Sequence, residues 1–165
     1  MSSGTTQVLT GVWGTASNDV WIVGGGGTIL KWNGTSLSTV TSGTTKQLAG
    51  VWANTKTDAW IGGDLGLVLR YNGTSWTTLT TPVTSFLQGV WGTSSSNVWV
   101  TGDNGTILKW NGTSFTQQAA GLTTNFLLSV WGTSTTDVWA VGNGGTILHY
   151  NGTSWSAFSS GTAFL

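Results

Sequence analysis

The chain has 165 residues, enough for one compact domain or a short array of repeats. Only 6% of its residues are charged, against about 25% in an average protein, and its formal net charge is zero. Because no basic excess is available to contact phosphates, we expect no nucleic-acid partner. No apolar run approaches the ~20 residues of a membrane helix, so we expect no membrane contact either. The absence of cysteine excludes disulfides and thiolate metal sites.

A repeat of about 40 residues organises the sequence. Tryptophan occurs 12 times, and two columns of it recur at spacings of 39, 39 and 40 residues. The first column contains Trp13, Trp52, Trp91 and Trp131, and the second contains Trp21, Trp60, Trp99 and Trp139. The motif Asn-Gly-Thr-Ser recurs in step with them, beginning at Asn33, Asn72, Asn111 and Asn151. Four copies therefore cover the sequence from about residue 7 onward.

The composition of each copy favours strands. Repeats of this length occur in four-stranded propeller blades and in helical arrays. Val, Ile, Thr and Trp dominate short runs separated by Gly and Asn, whereas helix formers are scarce. The sequence thus predicts an all-β protein, a β-propeller with four four-stranded antiparallel blades in a single repeat domain, 1–165. The blades are expected at about 7–45, 46–84, 85–124 and 125–165.

The repeat motifs also carry a family resemblance. In the fourth copy the order Val-Trp-Gly-Thr, Asp-Val-Trp-Ala-Val-Gly, Gly-Thr-Ile-Leu-His-Tyr, Asn-Gly-Thr-Ser-Trp resembles Trp-rich bacterial propeller repeats. Such repeats are similar to WD-repeat blades and to the Asp-box repeats of photosystem assembly factors and neuraminidases. Asn33 and its equivalents stand where the Asp-box carries aspartate, and no sialidase-type arginine cluster can be assembled. The resemblance therefore implies the fold and not an enzymatic activity.

The number of blades in the closed ring is open between two alternatives. Propellers contain about 4 to 8 blades, so the chain could close alone or form an eight-bladed homodimer. The last strands of the repeats, for example 38–41 and 77–80, are short and rich in Ser and Thr, which favours the narrow wedge of a larger ring. Residues 159–165 also echo residues 2–8, as though a further blade would begin there. We therefore expect self-assembly of two chains into one ring.

The titratable residues do not form a recognisable catalytic or metal motif. A column of cationic or polar side chains lies on the predicted third strands: Lys31, Arg70, Lys109 and His149. A second column precedes the predicted second strands, where Asx side chains are expected to cap turns by bonding backbone amides. It contains Asp19, Asp58, Asn97 and Asp137. We predict no catalytic residue, metal or cofactor, and we do not expect an enzyme.

Aromatic residues around the Asn-Gly hairpins are the candidates for binding. The residue before Asn-Gly and its expected diagonal neighbour vary in size from blade to blade in opposite directions. In chain order that neighbour is Leu37, Trp76, Phe115 and Trp155. Volume compensation in a packed interface explains this alternation, and two alternating kinds of interblade pocket are the other explanation. We predict a noncatalytic scaffold or binding module, or alternatively a lectin that binds a neutral glycan between blades. The candidate contacts are Trp32, Tyr71, Trp76, Trp110, Tyr150 and Trp155.

Overall fold

The computed structural model describes residues 2–159 and 161. Within these residues, 16 strands form four antiparallel sheets, and each sheet is a meander of four strands in sequence order. The predicted all-β architecture with one four-stranded sheet per repeat is therefore confirmed. Of the predicted echo at 159–165, residues 160 and 162–165 lie outside the described residues. None of the helical segments in the described part of the chain has the length and apolar character needed to cross a membrane.

Each sheet is one blade, numbered along the chain. Blade 1 contains β1 (Leu9–Ala16), β2 (Asp19–Gly24), β3 (Ile29–Trp32) and β4 (Leu37–Val40). Blade 2 contains β5 (Leu48–Thr55), β6 (Asp58–Gly63), β7 (Val68–Tyr71) and β8 (Trp76–Leu79). Blade 3 contains β9 (Leu87–Ser94), β10 (Asn97–Gly102), β11 (Thr106–Trp110) and β12 (Phe115–Gln118). Blade 4 contains β13 (Leu127–Ser134), β14 (Asp137–Gly142), β15 (Ile147–Tyr150) and β16 (Trp155–Phe158).

The Asn-Gly hairpins join the third and fourth strands of every blade. The side-chain oxygen of Asn33 accepts hydrogen bonds from the amides of Thr35 and Ser36, at 2.9 and 2.8 Å. Gly34 adopts a φ of 95°, a left-handed conformation that favours glycine. The equivalent asparagines of the other blades, Asn72, Asn111 and Asn151, make the same pair of hydrogen bonds. The recurring motif therefore fixes the register of the outer two strands.

Every blade has two apolar faces, because side chains alternate along each strand. We call the face toward the following blade the trailing face and the face toward the preceding blade the leading face. Trp13 and Trp21 are cross-strand partners on the trailing face of blade 1. Gly14, Val20 and Trp32 are partners in the adjacent row, on its leading face. The same two rows recur in all four blades.

The blades pack through their first strands, with β1 against β5, β5 against β9 and β9 against β13. At the second and third interfaces, a trailing-face indole lies directly on a leading-face glycine. A Cβ atom added to Gly92 would lie 2.9 Å from the ring of Trp52, and one added to Gly132 would lie 2.8 Å from that of Trp91. Glycine thus permits close contact between adjacent sheets.

The two terminal blades each keep one apolar face uncovered. On the leading face of blade 1, Val12 is 66% exposed, whereas its equivalents in the other blades are at most 8% exposed. On the trailing face of blade 4, Trp131 is 55% exposed, whereas Trp52 and Trp91 are at most 7% exposed. The four blades of one chain therefore form an open array with two uncovered end faces.

Candidate functional site

Five of the six aromatic residues predicted to bind a ligand lie in the outer parts of the blade interfaces. Trp32 is the direct cross-strand partner of Leu37, so the predicted diagonal relation is wrong. Because the two residues are directly opposite each other on paired strands, they share one face of the sheet. Tyr71 and Trp76 pack edge-on against Trp21 of the preceding blade, with ring centroids 5.0 and 5.2 Å away. Their first role is therefore to bury the trailing-face tryptophan.

The same packing recurs at the next two interfaces. The ring centroid of Trp110 is 5.5 Å from that of Trp60. Those of Tyr150 and Trp155 are 5.0 and 5.3 Å from that of Trp99. Aromatic pairs in such geometries add about 0.5–1.5 kcal/mol each beyond the area they bury.

Three equivalent cavities lie beside these rings, each between the outer strand of one blade and the Thr-Ser hairpin of the next. The first has a volume of about 470 Å³ and is lined by Val40, Thr74 and Trp76 among others. The second, also about 470 Å³, is lined by Leu79, Thr113, Trp110 and Phe115 among others. The third, about 320 Å³, is lined by Ala119, Thr153, Tyr150 and Trp155 among others. None of the residues lining these three cavities is charged.

The structure places four of the six predicted aromatic residues at these cavities. They are Trp76, Trp110, Tyr150 and Trp155, and each is at most 9% exposed. Little of each ring is therefore accessible. Trp32 instead lies on the leading face of blade 1, where its indole N–H donates to the carbonyl of Ser17 at 3.0 Å. Tyr71 packs against Trp21 and donates its hydroxyl to the carbonyl of Gly73 at 3.0 Å.

The aspartate and cation columns form charged clusters over the second-strand tryptophans. In blade 1, Lys31 pairs with Asp19 and holds its ammonium 3.6 Å from the ring centroid of Trp21. Burial raises the pKa of Asp19, but the hydrogen bonds from Lys31 and Thr15 outweigh it, so this pKa lies below its ordinary value. Burial lowers the pKa of Lys31, against the opposing effect of Asp19. The cluster thus combines an ion pair with a cation–π contact.

Blade 2 repeats this cluster with a guanidinium. Arg70 donates to Asp58 at 3.0 Å and lies 4.7 Å from the ring centroid of Trp60. Asn54 donates to the other oxygen of the same carboxylate at 3.3 Å. The predicted capping of turns through backbone amides is therefore not the main role of this column. Its carboxylates instead hold side chains of the first and third strands.

Blade 4 carries the same cluster with an imidazole. His149 Nε2 lies 2.7 Å from Asp137 Oδ1, and the imidazole stacks on Trp139 with ring centroids 4.0 Å apart. Hydrogen bonds from Thr133, His149 and Trp139 hold the pKa of Asp137 below its ordinary value, and Thr133 contributes most.

Blade 3 departs from the pattern because Asn97 replaces the aspartate. Lys109 keeps its cation–π contacts, with its ammonium 4.7 Å from the ring centroid of Trp99 and 5.1 Å from that of Tyr150. Within the described residues, the side-chain oxygen of Asn97 is buried without a hydrogen-bond partner. The sequence signal for these clusters is the constant separation of 12 residues between the two columns, for example Asp19 to Lys31.

The arrangement around His149 does not assemble a nucleophile and its base. Thr133 donates to Asp137, the carboxylate that His149 also contacts, whereas nucleophilic catalysis requires a hydroxyl bound to the imidazole itself. Across residues 2–159 and 161, no group of three or more His, Cys, Asp or Glu side chains could hold a metal ion. The charged clusters thus act as structural links between strands.

The two uncovered end faces carry the two members of the indole–glycine contact seen at the internal interfaces. Trp131 projects from the trailing face of blade 4 in the position that Trp52 and Trp91 occupy in the preceding blades. Gly14, on the leading face of blade 1, is the equivalent of Gly92 and Gly132. The three atoms nearest to a Cβ added at Gly14 belong to blade 1 or its β1–β2 connection. An exposed indole and an open glycine thus lie at opposite ends of the array, and sequence reasoning did not identify this pair as a site.

Comparison with known proteins gives the fold. No protein-family model matches the chain, and no curated protein matches it either. A catalytically inactive variant of virginiamycin B lyase from Staphylococcus aureus with quinupristin superposes with a TM-score of 0.84 at 13% identity, over 96% of this chain and 57% of that one. YCF48 bound to D1 peptide superposes with a TM-score of 0.74 at 14% identity, over 94% of this chain and 54% of that one. The WD40 repeats of RRP9 superpose with a TM-score of 0.76 at 15% identity, over 94% of this chain and 52% of that one.

The chain thus spans little more than half the length of these solved structures. At such low identity, the likeness shows the fold and leaves the activity open. The chain is a β-propeller array of WD-like four-stranded blades.

Exchanging the acidic residue between blades 2 and 3 tests the charged clusters. Asn97→Asp supplies Lys109 with a carboxylate and should raise the free energy of unfolding by about 0.3–1 kcal/mol. Asp58→Asn removes the charged partner of Arg70 at a buried position and should lower it by more, about 1–3 kcal/mol. Urea unfolding at low and high salt measures both, and each difference should shrink with salt. A destabilising Asn97→Asp would contradict this account of the cluster.

The lowered pKa values of Asp19 and Asp137 predict a loss of stability in acid. A carboxylate with a lower pKa in the folded than in the unfolded state stabilises the fold above its unfolded pKa, about 3.9. This contribution is lost as the pH falls through the folded value. The free energy of unfolding should therefore decrease below about pH 4. Urea titrations between pH 5 and pH 2.5 measure this change. In the double variant Asp19→Asn/Asp137→Asn the free energy of unfolding should depend less steeply on pH, and an unchanged pH dependence would refute the role given to these two carboxylates.

Proposed function

We propose that the protein is a noncatalytic β-propeller scaffold or binding module that associates with a second copy into a closed eight-bladed ring. The observation that carries this proposal is the match between Trp131 on one end face and Gly14 on the other. Two copies joined head to tail would place each Trp131 on the Gly14 of its partner. The ring would have two such junctions, and together they would bury the uncovered leading and trailing faces of both copies.

The internal interfaces provide the template for this junction. Trp52 lies on Gly92 and Trp91 lies on Gly132, so two successive interfaces follow one rule. At the first interface, where alanine replaces the glycine, the indole N–H of Trp13 donates to the carbonyl of Ala53 at 3.1 Å. The proposed junction would repeat a contact that the chain already makes within itself.

A ring of two chains agrees with the geometry of the array. Head-to-tail interfaces give a closed ring when the rotation per subunit completes a circle, and a filament when it does not. This chain superposes on slightly more than half of longer solved propellers, with TM-scores of 0.74–0.84. Its blades are therefore arranged like consecutive blades of a larger ring. Two such arrays give eight blades, within the usual range of about 4 to 8.

A noncatalytic role is supported by the residues around the only histidine. Asp137 stands between Thr133 and His149, so the hydroxyl and the imidazole do not form a nucleophile and base. The solved neighbours include a lyase and a propeller bound to a peptide, so both classes of function occur on this fold. We favour a scaffold because three of the five aspartates, Asp19, Asp58 and Asp137, each pair with a third-strand side chain of their own blade.

Removing the exposed indole tests the ring. The wild-type chain should have a solution mass twice its 17.2 kDa. Trp131→Ala should weaken dimerisation about 30-fold or more, because a buried tryptophan at an interface typically contributes at least ~2 kcal/mol. Sedimentation equilibrium over micromolar concentrations measures both values.

Leu65→Ala is the matched control for this experiment. Leu65 is 59% exposed but lies on the turn between β6 and β7, away from both end faces. Its replacement should leave the dimer intact. A wild-type mass of one chain at all concentrations would refute the ring.

A lectin that binds a neutral glycan is the second candidate function. It is supported by the three equivalent interblade cavities, which combine aromatic side chains with Thr and Ser residues and are lined by no charged residue. Small-molecule sites commonly combine aromatic side chains with a few polar groups in this way. The low exposure of the rings makes it the weaker candidate.

Indole N–H signals in NMR spectra test the glycan candidate at each cavity. Titration with glucose, galactose or their N-acetylated amines should shift the signals of Trp76, Trp110 and Trp155. Ala120→Arg places a guanidinium at the third cavity and should abolish the shift of Trp155 alone. The other two signals serve as internal controls. Absence of any shift at high sugar concentration would exclude this candidate for the sugars tested.

A further inference from the structure

We infer that Phe158 and Leu37 form a size-matched pair that restricts the junction between copies to blade 4 of one chain and blade 1 of the other. This inference rests on the proposed ring and identifies the residues that determine which blade faces can meet. It concerns the first and last residues of the outer strands.

The internal interfaces follow a common size rule at these positions. The first residue of the incoming outer strand is a large aromatic: Trp76, Phe115 or Trp155. The preceding outer strand ends in a smaller side chain: Val40, Leu79 or Gln118. The two kinds of residue line the same cavity at each interface, for example Val40 with Trp76 and Leu79 with Phe115.

The end faces reverse this rule. On blade 1 the outer strand begins with Leu37 in place of an aromatic residue. On blade 4 the outer strand ends with Phe158 in place of a smaller residue, and Phe158 is 49% exposed. At the proposed junction the aromatic residue would therefore come from the preceding blade and the aliphatic residue from the incoming blade, the reverse of the internal interfaces.

Phe158 supplies an aromatic ring to the one trailing-face tryptophan that no following blade of this chain covers. Its ring centroid is 5.2 Å from that of Trp139, the trailing-face tryptophan of blade 4. At the first interface Trp76, from the following blade, is also 5.2 Å from Trp21. The trailing-face tryptophan of blade 4 thus receives its outer aromatic neighbour from its own blade.

The size of Phe158 limits which blade can pack on the trailing face of blade 4. An incoming blade with tryptophan or phenylalanine at its first outer position would overlap Phe158, because close-packed interfaces do not absorb an extra ring without strain. Blade 1 alone has an aliphatic residue there. The partner that fits the open trailing face is therefore the leading face of blade 1 in a second copy of this chain, and out-of-register or swapped pairings with other blades are disfavoured.

A size exchange across the junction tests this inference. Leu37→Trp alone should weaken dimerisation at least about tenfold, by overpacking against Phe158. Phe158→Val alone should weaken it less, because it leaves a gap beside Trp139. The double variant recreates the Val40–Trp76 arrangement and should return the dissociation constant to within about threefold of wild type. Sedimentation equilibrium measures all four chains.

Matched controls separate the possible failures. Leu65→Trp adds an indole of the same size at an exposed turn and should leave dimerisation unchanged. Near-ultraviolet circular dichroism checks folding, and Leu37→Phe, which copies Phe115, replaces Leu37→Trp if that chain does not fold. A dimeric wild type in which the two single effects simply add would overturn the Phe158–Leu37 pair and leave the ring standing. A monomeric wild type would overturn both.

Discussion

The whole structure depends on burying tryptophan-bearing sheet faces against another copy of the same sheet. Trp21, Trp60 and Trp99 are at most 1% exposed because the next blade covers each of them. A single blade would leave both of its faces in water, and its own burial could not offset the conformational entropy of ordering it. Stability in such arrays is therefore a sum over neighbouring pairs. A repeat face that stays in solvent is usually polar, whereas the uncovered faces of blades 1 and 4 carry Val12 and Trp131, both more than half exposed. These two faces are therefore suited to being covered.

The charged clusters show how the repeats vary without losing the fold. Each cluster places a basic side chain over a second-strand tryptophan, and that side chain changes from Lys31 to Arg70 and to His149. Blade 3 keeps Lys109 over Trp99 although its carboxylate has become Asn97. The aromatic contact therefore persists when the ion pair does not, as expected if desolvation offsets much of what an ion pair contributes. Packing against the tryptophan is therefore enough to hold the basic side chain in place, and the carboxylate adds a second contact where it is present.

The sequence predicted the fold far better than it predicted the surfaces. The spacing of Trp13 and its equivalents gave the number and length of the repeats, and the Asn-Gly turns marked a hairpin inside each repeat, so together they specified four sheets of four strands. The link between Asp58 and Arg70 was missed, since it depends on register across two strands rather than on neighbours along the chain. The direct pairing of Trp32 with Leu37 was missed for the same reason. The role proposed for Phe158 rests on comparison with the contacts between neighbouring blades, which the sequence alone does not display. Local turn chemistry is readable from sequence, whereas contacts across strands and blades require the geometry.

The proposed junction between copies uses the same groups as the internal interfaces, yet it differs from them in one physical respect. Within a chain, the connection from one blade to the next keeps the faces of Trp52 and Gly92 close at all times, so their contact costs no translational freedom. Between chains, the equivalent contact of Trp131 with Gly14 must first offset the loss of translational and rotational freedom of a whole subunit, a cost of at least about 4 kcal/mol. A ring of two chains has two such junctions, and once the first has formed the second closes within one complex. The junctions can therefore be no weaker in packing than the internal interfaces if the ring is to persist at low concentration. A pairing of Phe158 with Leu37 that fills space as fully as Trp76 with Val40 meets that requirement while keeping the junction distinct from the interfaces inside the chain.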